Sequence, residues 1–137
     1  MIIQPNDIII VTKGTSFRAG IVKKNESRTI YASSSMAILR CKDQKYHSEV
    51  LLGWLMSEDG LYQLQNIAVG SAIQSIGLKA LKNLEIPLSE KQLMRSDYGV
   101  LMQHYLKTQD LSHKVISKRE EIMKGYTSTF LHAEEEL

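Results

Sequence analysis

Residues able to do covalent chemistry are scattered along this sequence rather than assembled. His47, His104, His113 and His132 lack the close spacing of a metal-binding pair, and none stands in a zinc or hydrolase motif, so each reads as a surface or capping histidine. Cys41 is the single cysteine, which leaves no internal disulfide and no thiolate cluster for zinc; it reads as a small buried hydrophobe. Ser33-Ser34-Ser35 has no Gly-x-Ser-x-Gly elbow around it and reads as a turn. Val69-Gly70-Ser71-Ala72 lacks the glycine spacing of a phosphate cradle, and no Asn-Pro-Pro-Tyr-like motif of an adenine methyltransferase occurs. The expectation is a protein that is not an enzyme, with no metal and no cofactor of its own.

The chemistry that the spacing does support is electrostatic. Lys13, Thr15, Ser16 and Arg18 crowd a turn directly after the apolar run Ile8 to Val11, a rigidly supported place from which cations and hydroxyls reach phosphates or base edges. Lys23 and Lys24 on the next turn extend the set. Up to position 45 eight basic residues stand against three acidic ones, net +5, within a whole-chain charge of +2, so the front third suits a polyanion. Gly70 permits a tight turn, and Ser71 and Gln74 place donors and acceptors beside it. Ordinary solvated turns are the competing reading for both groups.

These side chains need a scaffold, and 137 residues with 43% hydrophobic and 23% charged content suffice for one soluble core. No apolar run approaches the roughly 18–20 residues of a membrane span, and no secretory signal is evident, which predicts a cytoplasmic protein without membrane contact. Ile8 to Val11, Ala19 to Lys23, Thr29 to Ala32 and Met36 to Arg40 read as short strands, with Lys24 to Arg28 as a hairpin turn. Their connections are too short for helical crossovers, so the sheet is small and mainly antiparallel.

Helical spacing follows. Val50, Leu51, Trp54 and Leu55 form a stripe within His47 to Ser57, with Trp54 as a core anchor. A second short helix is expected after Gly60, through Leu61 and Leu64. Ala68 to Ala72 is expected as a loop, Leu78 to Leu84 as another helix and Glu85-Ile86 as strand-like. From Ser89, whose Gln92 completes a capping box, one long helix is predicted to Lys124. Its length of about 54 Å exceeds the width of a small domain, so it must protrude or pair. Met94, Tyr98, Leu101, Tyr105, Leu111, Val115 and Ile122 make its apolar stripe, which fits a coiled-coil seam and the buried face of a domain helix equally well. The fold class expected is α+β, a small mainly antiparallel sheet with short helices followed by one long protruding C-terminal helix. The parts are 1–88, 89–126 and a polar tail over 127–137 that carries Glu134-Glu135-Glu136.

The order of several short motifs resembles one target-recognition half of a type I restriction-modification specificity subunit. Gly70 to Ile76, Leu78 to Leu84, Glu85-Ile86-Pro87-Leu88 and Glu90-Lys91-Gln92 are similar to that family's glycine loop, leucine-bearing helix, Ile-Pro-hydrophobic strand and glutamine-bearing helix start. Asn6-Asp7 with the apolar run after it, then Lys13-Gly14, resembles its Gly-Asp strand and basic-Gly turn; Val50 to Leu55 with Ser57 resembles its helix preceding a serine. The match spans about positions 5 to 124. It implies a mixed α/β domain and a long helix that bind double-stranded DNA, read part of a split target, and guide separate modification subunits that methylate adenine using S-adenosylmethionine, and through them the restriction subunit. The chain is read as one recognition unit without the opening segment, which makes homodimerisation through the long helix the expected way to supply two halves. A module of the same fold that assembles with other subunits without reading DNA is the alternative.

Overall fold

A computed structural model describes residues 1–23 and 29–131. The chain is mixed α+β: small antiparallel sheets and short helices precede one long C-terminal helix. It divides into two compact units, Met1–Met102 and Gln103–Leu137.

Four strands open the first unit: β1 (Ile8–Val11), β2 (Lys13–Gly14), β3 (Ala19–Ile21) and β4 (Met36–Leu39). The β-branched run of β1 takes the centre of a three-stranded sheet in the order β3-β1-β4, antiparallel on both sides, with Ile9 opposite Gly20 and Ile38. Alternation then decides burial: Ile8 and Ile10 are fully enclosed, whereas Ile9 and Val11 on the other face are only partly covered. Thr29 to Ala32 does not form the expected strand. Only one bridge, Ile2 to Tyr31, forms there, and Ile30 and Tyr31 are exposed, so no apolar face exists to be buried. The hairpin turn expected at Lys24 to Arg28 lies outside the described residues.

Helices α1 (Ser48–Leu55), α2 (Glu58–Ile67) and α3 (Leu78–Lys82) follow, with strand β5 (Gln74–Ser75) between α2 and α3. The buried line of α1 runs through Val50, Leu52 and Leu55, while Leu51 and Trp54 are only partly covered. The expected stripe is rotated because α1 packs against β3, α2 and the later α4 (Glu90–Leu93) together, rather than against one flat surface. α2 starts before Gly60, not after it: the Ser57 hydroxyl accepts the Gly60 amide at 3.2 Å and donates to the Trp54 carbonyl at 2.5 Å. Gly60 is buried so closely over that turn that a Cβ would strike the Trp54 carbonyl, a close approach that demands glycine. Glu85-Ile86 pairs with no strand, and Ile86 is exposed.

The predicted continuous helix from Ser89 is interrupted. The Ser89–Gln92 capping box forms, with both reciprocal bonds, at 2.9 and 3.2 Å, but it opens only the single turn of α4. The chain breaks at Met94 and Arg95, then α5 runs Ser96–Tyr126 and ends in a π-helical turn, Thr127–Leu131. The physical reason is the Leu93 carbonyl. In a continuous helix it would accept the amide of Asp97, but it accepts the His47 amide at 2.8 Å and ties α4 to the start of α1. Of α5 only Gly99 is buried, against His47. In the second unit every residue from Gln103 to Thr129 is exposed except the partly covered Leu106. Glu134 to Glu136 lie outside the described residues.

Candidate nucleic-acid interface

The two polar groups picked out in the sequence lie some sixty positions apart, and the fold joins them. β2 pairs antiparallel with β5, so that Lys13 faces Ser75 and Gly14 faces Gln74. Each partner is itself pinned. The Val11 amide donates to the Arg18 carbonyl at 2.9 Å, closing the loop between them, and Phe17, 7% exposed, plugs it from below. On the other side Val69 and Ser75 exchange amide-to-carbonyl bonds at 2.9 Å in both directions, making 69–75 a tight loop. Gly70 turns it with φ of 115°, and a Cβ there would strike the Ile73 carbonyl. Ile76, 4% exposed, donates its amide to the Thr12 carbonyl at 2.8 Å and locks both loops onto the core.

The result is a double loop tied by backbone bonds, whose crest carries polar groups beside the exposed Val69 and Ile73. Lys13, Thr15, Ser16, Arg18 and Ser71 are exposed and Gln74 is partly covered. Lys23 is exposed on the strand side and already has an interaction partner; Lys24 lies outside the described residues. Ammonium, guanidinium, hydroxyl and amide groups held on a fixed backbone are donors of the kind that contact phosphate oxygens and base edges. Among the described residues no cluster of His, Cys, Asp and Glu is arranged to hold a metal ion.

Sequence reasoning missed the ion pair that ties the start of β1 to the end of β4. Asp7 is 1% exposed, and its carboxylate accepts two bonds from Arg40, from Nε and Nη2, both at 2.7 Å, plus the Gln4 amide at 2.7 Å. The Arg40 guanidinium holds the Asp7 carboxyl below the usual carboxylate range, against the opposing pull of burial. Asn6, immediately before it, takes the left-handed conformation with φ of 68°. Thirty-three positions separate Asp7 from Arg40, so no local pattern signals the pair. β2 and β5 were equally hidden, since two-residue strands carry no periodicity.

The apolar stripe divides differently. Tyr98, Leu101, Tyr105, Leu111, Val115 and Ile122 all lie on α5 and are exposed, whereas Met94, also exposed, sits in the break before it and is not part of that helix. Leu101, Thr108, Val115 and Ile122 recur every seven residues, with Tyr98 and Tyr105 three before the first two. Ile116 and Met123 add exposed apolar area that the sequence reading left out. Among the described residues no helix is long and apolar enough to cross a membrane. Compared with known proteins, the chain matches no family model, and no curated protein aligns with it significantly.

Proposed function

We propose that this chain is a DNA-recognition half of a type I restriction-modification specificity subunit, acting in the cytoplasm to direct adenine-methylating modification subunits, and through them the restriction subunit, to double-stranded DNA. The observation that carries the reading is the β2–β5 pairing, which unites the Lys13–Arg18 turn and the Gly70 loop on one pinned crest. The family resemblance has physical support at its first motif. Where the family has glycine before aspartate this chain has Asn6, in the left-handed conformation that glycine favours and asparagine tolerates best among the other residues, and the aspartate is the buried Asp7. The reading also includes a homodimer, because an exposed stripe with Leu101 at 68%, Leu111 at 62% and Ile122 at 60% exposure is the kind of surface that marks an interaction site. Two-fold antiparallel pairing of α5 buries both copies of that stripe at once.

The same exposed stripe favours a second reading, a module that assembles with the modification subunit without touching DNA. Titration of mixed-sequence duplex DNA at rising salt separates the two. Phosphate contacts release counterions, so affinity falls steeply with salt, and Arg18→Ala with Lys23→Ala both weakens binding and reduces the slope by roughly two. Equal affinity and slope in the double variant would exclude Arg18 and Lys23 as phosphate contacts. Co-purification with the modification subunit in the absence of any duplex binding selects the second reading.

A further inference from the structure

A cleft of about 420 Å³ opens between α1, α2 and the segment after α3. Trp54, Tyr62, Ile86 and Pro87 supply its apolar walls and Asp59 and Glu85 its charge; no basic side chain lines it. Tyr62 is 61% exposed and Ile86 39%, so the walls are not closed over by the chain itself. Among the described residues neither Asp59 nor Glu85 forms a side-chain hydrogen bond or ion pair. Asp59 does stand in the first turn of α2, where a carboxylate is favourable, but Ser57 already caps that helix, and Glu85 belongs to no helix. The backbone beneath Trp54 is held in place by the Ser57 hydroxyl and by the close approach of Gly60.

We propose that this cleft receives an arginine side chain of a partner protein. Aromatic faces beside two unpaired carboxylates define a cation site. Arginine fits it better than lysine, because a planar guanidinium stacks on an aromatic ring while its edge donates to a carboxylate. A nucleic-acid phosphate is repelled by Asp59 and Glu85, so the cleft is a protein-docking surface and stands independently of any DNA contact at the Lys13–Arg18 crest.

Trp54 is the only tryptophan, so its emission reports on this cleft alone. The probes are the blocked peptide Ac-Gly-Arg-Arg-Gly-NH2 and its counterpart with both arginines replaced by neutral, near-isosteric citrulline. The arginine peptide should shift Trp54 emission saturably with Kd of about 1 mM, and citrulline should bind roughly tenfold more weakly. Asp59→Asn with Glu85→Gln should weaken the arginine peptide to a similar extent, and Tyr62→Ala by roughly threefold. All three positions are exposed, so circular dichroism of each variant should match the parent chain. No saturable response, equal binding of the two peptides, or undiminished binding to the folded carboxamide double variant would overturn the proposal.

Discussion

Helix α1 has eight residues and buries four of them; α5 has thirty-one and buries one, Gly99. The same backbone geometry is thus sustained in two ways. α1 is too short to hold its shape alone in water, so its helicity comes from the packing of Val50, Leu52 and Leu55 against the elements around it. α5 relies on length and local bonds: the Gln109 amide donates to the Tyr105 hydroxyl at 3.1 Å, and Lys118 pairs with Glu121 at 3.1 Å. Such exposed pairs contribute only about 0.2–0.5 kcal/mol each. Leucine, valine and isoleucine on α5 face solvent while its own side-chain pairs contribute little, and the proposed self-association would cover that apolar area.

The sharpest way to break this comparison is to truncate one leucine in each helix. Leu52 is fully buried, and Leu52→Ala should destabilise the fold by about 2–5 kcal/mol, from lost transfer energy and the cavity left behind. Leu111→Ala on the exposed face should change the stability of the isolated chain by no more than about 0.5 kcal/mol. Urea denaturation followed by circular dichroism checks both. Comparable losses at the two sites would mean that the α5 face is covered within the single chain.

A smaller loss is expected at the ion pair between buried Asp7 and the half-exposed Arg40. Asp7→Asn keeps the shape but removes a carboxylate that accepts two bonds from Arg40, and should cost about 2 kcal/mol at neutral pH. The sign with pH follows from linkage. Asp7 has a folded-state pKa below its unfolded value of about 3.9, so the unfolded chain binds the proton more readily. Its contribution is complete above the unfolded value and disappears as pH falls through the folded one. The stability gap between the parent chain and Asp7→Asn should therefore be constant near neutrality and close in acid, below about pH 4. A gap that persists undiminished well into acid would show that the carboxamide variant fails through packing rather than through the lost charge.

How much of this was legible in the sequence depends on the range of the pattern. β1 carries its signal in four consecutive β-branched residues, and the Ser89–Gln92 box is contained within one turn, so both were readable. The break at Met94 and Arg95 was not, because its cause is a carbonyl claimed by His47, far away in sequence. Lys13, Thr15, Ser16 and Arg18 were recognisable by type, as were Ser71 and Gln74, but their union depends on a pairing of two-residue strands that leaves no periodic trace. Trp54 shows the complementary failure. Its size suggests a core anchor, yet packing on several sides of α1 turns it partly outward, toward Tyr62 and Pro87.

The smallest effect expected on the fold is also the most informative about α5. Leu101→Glu with Val115→Glu places two charges where 68% and 56% of the side chains already meet water, so neither introduces a buried charge, and the unfolding midpoint of the isolated chain should barely move. Association is a different matter. Leu101 and Val115 are separated by two seven-residue steps, and in an antiparallel two-fold pair each variant chain contributes both glutamates, bringing four carboxylates into one apolar seam. Desolvating even part of that charge costs several kcal/mol, enough to dissociate a dimer of micromolar affinity. Sedimentation at micromolar concentration should therefore find the parent chain dimeric and the double variant monomeric, with the same helix content apart from end fraying. A parent chain that is already monomeric would remove self-association as the role of the stripe; a variant that stays dimeric would place the contact on another face, with Ile116 and Met123 the next residues to test.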